Sequence, residues 1–302
     1  VGCTASGKSA LAMELARRRD DVELLSVDSM QVYREMDIGT AKPTRTEQER
    51  VRHHLIDIAD PADEYTVSMF QHAWREARAD IERRGRIPLL VGGTGLYLRS
   101  VIDDLEIPGR YPEVREDLLT RAAEPEVLHA ELDRIDPIAA GRIDPHNSRR
   151  LVRALEVTIG SGRPFSSYGP GLEDYADIPF SLLGLRMDRT HLDARISTRY
   201  DRQMRAGFLD EVRGLAARPR GIGRTARQAL GYRELLRVVE ESASLDAMLD
   251  EARTRTRRFA RRQLKWYRRD PRIEWVDLDR SGSVNHEHAV ERAVELVLAG
   301  VG

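Results

Sequence analysis

The chain has 302 residues, 33% of them charged and 41% hydrophobic, which excludes a disordered chain and leaves room for a core domain plus a smaller one. The net charge of −1 assigns no partner, and the single cysteine, Cys3, excludes a disulfide framework or a cysteine-based zinc site and fits a reducing cytoplasm. There is no signal-peptide pattern, no apolar run long enough to span a bilayer and no solenoid repeat, so no membrane partner is expected.

The first element is a phosphate grip. Gly2, Cys3, Thr4, Ala5, Ser6, Gly7, Lys8 and Ser9 fit the pattern G-x-x-x-x-G-K-[ST]. In such a loop successive backbone N–H groups form an anion nest at a helix N-terminus. Lys8 supplies a positive charge to a terminal phosphate, and Ser9 a hydroxyl for Mg²⁺. A helix over residues 9–19 follows, with Leu11, Leu15 and Ala16 on one stripe. A loop of this kind follows a buried parallel strand, yet only Val1 precedes it. The expectation is therefore a missing first strand, and a lower melting temperature than that of a version extended by one.

Residues 22–27 read as a strand ending at Asp28, and residues 54–58 as a second. A helix is expected over 68–84, with Phe70, Ala73, Ala77 and Ile81 on one face and Gly85 ending it. Residues 87–91 form a buried strand running into Gly92-Gly93-Thr94-Gly95. This alternation predicts an α/β fold, a parallel sheet with helices on both faces. Asp28, Thr94 and the phosphate grip then meet at the C-terminal edge of the strands, where such sheets bind ligands. Residues 109–179 read as a helical insertion domain, with helices at 113–123, 125–134 and 149–159. Residues 1–108 and 180–302 form the catalytic core. The core resumes with a strand at 181–187, a helix over 191–205, a long basic helix and an amphipathic tail helix over 285–298 carrying Ala289, Ala293, Val294 and Val297 inward.

Four groups of residues carry chemistry. Asp28 is a turn former, or a carboxylate that binds Mg²⁺ through water or acts as a general base. Thr94 lies in a tight turn whose small residues also let a substrate approach the backbone. Residues 253–270, RTRTRRFARRQLKWYRRD, place Phe259, Ala260, Gln263, Leu264 and Tyr267 on one helical stripe. Arg255, Arg258, Arg262, Lys265 and Arg269 fall on another. No acid stands between Glu251 and Asp270, and a one-sign face carrying Trp266 and Tyr267 suits a phosphate backbone and unstacked bases. Arg149, Arg150 and Arg153 form a second basic cluster behind a helix cap at Asn147 or Ser148. His53, His54 and His191 have no spacing that suggests metal ligands.

The segments GCTASGKS, SVDSMQVYREMDIGTAKP, HHLIDI, GRIPLLVGGTGLYL, SRRLVRALEV, RQALGYRE and RRFARRQLKWYRRD, in that order, resemble the tRNA dimethylallyltransferase family over essentially the whole chain. The resemblance implies a core like that of the P-loop NTPases. It also implies transfer of a dimethylallyl group from dimethylallyl diphosphate to N6 of the adenosine 3′-adjacent to the anticodon. The nucleotide-binding (ATP-binding) type of loop then needs to hold only a diphosphate. By the same resemblance Ser9 is the Mg²⁺ ligand, Asp28 the general base and Arg199 a diphosphate contact, with Lys8 and Thr94 completing the catalytic set. The tRNA-contacting segments are Asp28, Ser29, Met30 and Gln31; Arg149, Arg150, Leu151, Val152 and Arg153; Gln228, Ala229, Leu230, Gly231, Tyr232 and Arg233; and Arg261, Arg262, Gln263, Leu264, Lys265, Trp266, Tyr267 and Arg268. Thr94 and Arg115 are single contact positions. Family members commonly have Pro where Cys3 stands, which alters loop stiffness. The partners implied are the tRNA anticodon stem-loop and the prenyl diphosphate, acted on by a cytoplasmic monomer.

Three other readings differ in what they leave idle. A small-metabolite kinase leaves the basic helix unexplained. An RNA-binding module without activity leaves the phosphate grip unused. An adenylate isopentenyltransferase shares the chemistry, but has no need of a basic helix and an insertion domain.

Overall fold

The computed structural model describes residues 1–278 and 291–296. The chain divides into two compact units, Val1–Ile102 with Asp177–Gly302, and Asp103–Ala176.

In the first unit, α1 (Lys8–Arg18) starts after Gly7, whose φ of 99° lies in the left-handed region that favours glycine. β1 (Val22–Val27) is buried along its whole length, as a strand covered on both faces must be. α2 (Arg45–Arg50) opens with a capping box between Thr44 and Glu47. β2 (His53–His54), α3 (Val67–Arg83), β3 (Ile87–Gly92) and α4 (Gly95–Ile102) follow. The strands run parallel in the order β2-β1-β3, with Leu24 opposite both His53 and Leu89. Alternation along β1 sorts its side chains between two clusters. Val22 and Leu24 join Ala12, Met13 and Ala16 of α1, whereas Leu25 and Val27 join Phe70, Trp74 and Ile81 of α3. The strand expected at 54–58 is only a two-residue stub. Leu55 and Asp57 take φ of 63° and 57°, and a ladder does not continue through such a backbone.

One charge sits inside this sheet. Glu23 of β1 is 2% exposed. Arg84 grips both of its oxygens, one at 2.8 Å, and His54 Nε2 lies 2.7 Å away. The Arg84 guanidinium, then His54, hold the Glu23 carboxyl down at about 2 against the opposing effect of burial.

The second unit is helical: α5 (Pro112–Thr120), α6 (Pro125–Ile135), α7 (Pro137–Arg142) and α8 (Ser148–Ser161). The first three carry proline in the opening turn, where no N–H is needed. Leu118, Leu128, Leu132, Leu151 and Leu155 make its core. The short α7 had no counterpart in the expected elements.

The chain then returns to the first unit with β4 (Leu182–Met187), α9 (Arg189–Arg205), α10 (Phe208–Ala216), α11 (Tyr232–Glu241), α12 (Leu245–Tyr267) and β5 (Ile273–Leu278). β4 and β5 pair in parallel, Leu182 opposite Ile273. The Val1 ammonium donates to Leu183 O at 2.6 Å, and Gly2 bridges to Leu185, so the phosphate grip starts along β4. A cavity of about 220 Å³ lies beside it, lined in part by Val1, Leu11, Leu89, Val91, Leu183 and Leu185. Of the expected tail helix, residues 291–296 are helical and Ala293 is buried. Ala289 and Val297 lie outside the described residues. Among the described residues, no helix is long and apolar enough to cross a membrane.

Candidate active site

The phosphate grip is closed on itself. Lys8 Nζ donates to Cys3 O at 2.6 Å, so the side chain folds back over its own loop. Burial, reinforced by Arg199 and opposed by Cys3 and Asp28, brings the Lys8 ammonium down to about 8. Arg199 of α9 donates to Thr4 Oγ1 at 3.2 Å. Burial likewise lowers the guanidinium of Arg199, with Asp28 among the charges opposing this. A Cβ built on Gly7 would stand 3.7 Å from Arg195 Nη2. Arg195, one turn before Arg199 on the same helix, therefore lies beside the loop as well. The i, i+4 spacing was the signal in the sequence that could have found it.

Asp28 follows the last residue of β1 at the same edge. Its Oδ1 accepts from Met30 N at 2.8 Å and Gln31 N at 3.3 Å. Among the described residues, Oδ2 makes no hydrogen bond. Thr94 Oγ1 accepts from Ser29 N at 3.2 Å, tying the turn after β3 to the turn after β1. The structure thus brings Lys8, Arg199, Asp28 and Thr94 together. Gln31 turns its amide inward, accepting from Ser26 Oγ at 2.7 Å and donating to Ala41 O at 3.2 Å.

α12 runs beneath this edge with two unlike faces. Arg258, Arg261, Arg262, Lys265 and Arg268 are exposed. Ala260, Gln263 and Tyr267 are buried. Gln263 Oε1 accepts from Thr4 N at 2.8 Å, and its Nε2 donates to Gly93 O at 2.7 Å. The Tyr267 hydroxyl is buried without a hydrogen-bond partner among the described residues. Burial pushes its pKa up, and the neighbouring Asp28 and Cys3 add to the shift. Trp266 covers Gly95, where any Cβ would stand 2.3 Å from the indole Nε1. Only glycine permits that approach.

The other sequence-predicted contact segments divide in the same way. Tyr232 is fully buried, edge-on to Phe208, with its hydroxyl donating to Glu211 Oε1 at 2.6 Å. The same carboxylate accepts from Asp37 N at 2.9 Å, Ile38 N at 2.7 Å and Gly39 N at 3.1 Å. Ala229 and Gly231 are also buried, while Gln228 and Arg233 are exposed. In the helical unit Leu151 and Val152 are core residues, and Arg149 and Arg150 are exposed. Arg115 and Arg153 each sit 3.0 Å from the buried Glu156 carboxylate. Side chains at 151, 152, 229, 232 and 267 therefore serve packing here rather than a surface.

The donors near the loop suit a hard cation. Ser9 exposes its hydroxyl on the first turn of α1, and the Ser6 hydroxyl is buried with no partner among the described residues. Mg²⁺ asks for few protein oxygens when phosphates supply the others, so Ser9 fits as its ligand. No group of three or more His, Cys, Asp or Glu able to hold a metal alone occurs among the described residues.

A family model described as IPP transferase matches residues 31–270. A tRNA dimethylallyltransferase of a Nocardioides species is 44% identical, covering 99% of this chain and 94% of its own length. That of Acidothermus cellulolyticus is 46% identical, covering 98% and 92%. The solved tRNA isopentenylpyrophosphate transferase of Bacillus halodurans superposes with a TM-score of 0.70 at 35% identity, covering 100% of this chain and 96% of its own. A eukaryotic dimethylallyltransferase described as acting on tRNA superposes at 0.79 and 28% identity, covering 97% and 76%. A P-loop core of parallel strands, matched over nearly its full length by such relatives, places this chain in the IPP transferase family of tRNA dimethylallyltransferases.

Proposed function

We propose that the protein transfers the dimethylallyl group of dimethylallyl diphosphate to N6 of the adenosine 3′-adjacent to the anticodon of tRNA, as a cytoplasmic monomer. One observation carries this reading: the phosphate grip with Lys8 and Arg199, and the Asp28 carboxylate with its open oxygen, share one strand edge. Lys8, Arg199 and the backbone N–H groups of residues 2–9 hold the diphosphate and stabilise its charge as the allylic C–O bond breaks. Ser9 would hold Mg²⁺, which when bound would add to the neutralisation of the leaving group. The N6 lone pair is delocalised into the adenine ring, which makes it a weak nucleophile. As the N6–C bond forms, Asp28 takes the N6 proton. Diphosphate leaves, and no redox step is involved. The adenine must leave the anticodon-loop stack to reach Asp28. The exposed arginines and lysine of α12, with Arg149, Arg150 and Arg233, bind the tRNA backbone.

Incubation with labelled dimethylallyl diphosphate, Mg²⁺ and unmodified tRNA, followed by nucleoside analysis, tests the reading. The expected product is N6-dimethylallyladenosine at the position 3′ of the anticodon. Label transfer to free AMP but not to tRNA would overturn it.

A further inference from the structure

The geometry points to Gln263 as a positioning residue that ties the tRNA-binding helix to the diphosphate loop. This rests on the function proposed above. Gln263 lies within a segment otherwise assigned to tRNA, yet it is only 8% exposed. Both ends of its carboxamide are engaged, each on a strand-edge turn. The oxygen takes the Thr4 N–H of the phosphate grip, and the nitrogen reaches Gly93 O in the turn that carries Thr94.

Both partners lead onward to the reacting groups. Thr4 receives Arg199 on its hydroxyl. Thr94 receives the backbone N–H of Ser29, next to Asp28. One amide thus fixes the spacing between the diphosphate end of the site and the proton-accepting end. The neighbours of Gln263 on α12, Arg262 and Lys265, are exposed. A helix seated on tRNA through those side chains holds the two turns from behind.

The amide is a neutral side-chain group that accepts at one atom and donates from another. Gln263→Leu removes both bonds at similar volume. Gln263→Glu keeps an acceptor for Thr4 N but loses the donor to Gly93 O, and it sets a negative charge behind a loop meant for diphosphate. A Thr4 N–H or a Gly93 carbonyl left unpaired in a buried place loses about 1–3 kcal/mol, roughly a factor of 5 to 150.

Three measurements on folded protein, checked by melting temperature, test this. They are the inhibition constant of inorganic diphosphate, the KM and kcat for dimethylallyl diphosphate, and the tRNA dissociation constant without donor. The expected result is a diphosphate inhibition constant weakened at least about fivefold in Gln263→Leu and more in Gln263→Glu. The donor KM rises in parallel, kcat falls, and tRNA affinity stays within about twofold. A uniform structural loss would lower the melting temperature and tRNA affinity together. The inference fails if either folded variant holds diphosphate like the parent, or if tRNA binding weakens as much as it does on removing Arg262 and Lys265. An absence of tRNA product from the parent protein itself would instead sink the function proposed above.

Discussion

Arg199 donates to the hydroxyl of Thr4 at 3.2 Å across 195 positions of sequence. A helix of the second half of the core thereby supplies a cation to a loop at the beginning of the chain. The two other cations of the site, Lys8 and Arg195, approach the same loop. In the proposed reaction these cations neutralise the departing diphosphate, and Asp28, which follows β1, takes the proton.

Asp28→Ala is expected to keep tRNA binding and lose about 10²- to 10⁴-fold in kcat, the range for removal of a general base. Filter binding and single-turnover product formation check this. A near-parental rate removes Asp28 from its role.

Joint replacement of Arg258, Arg262 and Lys265 by alanine should weaken tRNA binding and flatten its salt dependence. Three lost phosphate contacts lower the slope of log K against log salt by about 2. Titrations at several salt concentrations measure it, and an unchanged slope counts against the basic face of α12.

The Lys8 ammonium, lowered to about 8 in the free protein, must be charged to receive the donor. The kcat/KM for dimethylallyl diphosphate therefore falls as pH rises through about 8. Lys8→Arg, which cannot lose its proton, should abolish that limb of the profile whatever its absolute rate. For stability the sign is opposite. Folding depresses the Lys8 value from 10.5 to about 8, so the unfolded chain binds more protons in that window and stability rises with pH there.

Glu23 gives stability the same sign of pH dependence in a lower window. Its folded value, about 2, lies below the ordinary 4.5. The contribution is complete above 4.5, amounts to about 3 kcal/mol, and is lost as pH falls towards 2. Glu23→Gln should lower the melting temperature at pH 7 and remove most of this acid sensitivity between 4.5 and 2. Thermal melts over that range read it directly.

Much of the core was legible in the sequence because its signals are local. The apolar run that forms β1 declares a buried strand, the run before Gly92-Gly93 declares a strand that is only half-buried along its length, and the 3.6-residue spacing in α3 declares its inward face. β5 escaped notice because Glu274 and Asp277 interrupt its apolar residues, and only Ile273 and Leu278 are buried. The α12 stripe was also visible, but its meaning was not. Gln263 reads as one polar residue in a charged helix, since its partners stand 259 and 170 positions away. Tyr267 misleads in the same manner: an aromatic in a basic segment suggests base stacking, while tertiary packing turns its ring inside; Tyr232, assigned to tRNA by resemblance, is buried too.

The clasp of Glu211 on residues 37–39 bears on ligand choice. Three consecutive amides there converge as they would on an oxyanion, but a carboxylate of the chain itself already occupies the berth. A phosphate therefore finds these three amides already paired, unlike an unoccupied anion nest. That turn is thus tied down by a carboxylate more than 170 positions away, with no ligand needed to pair its amides.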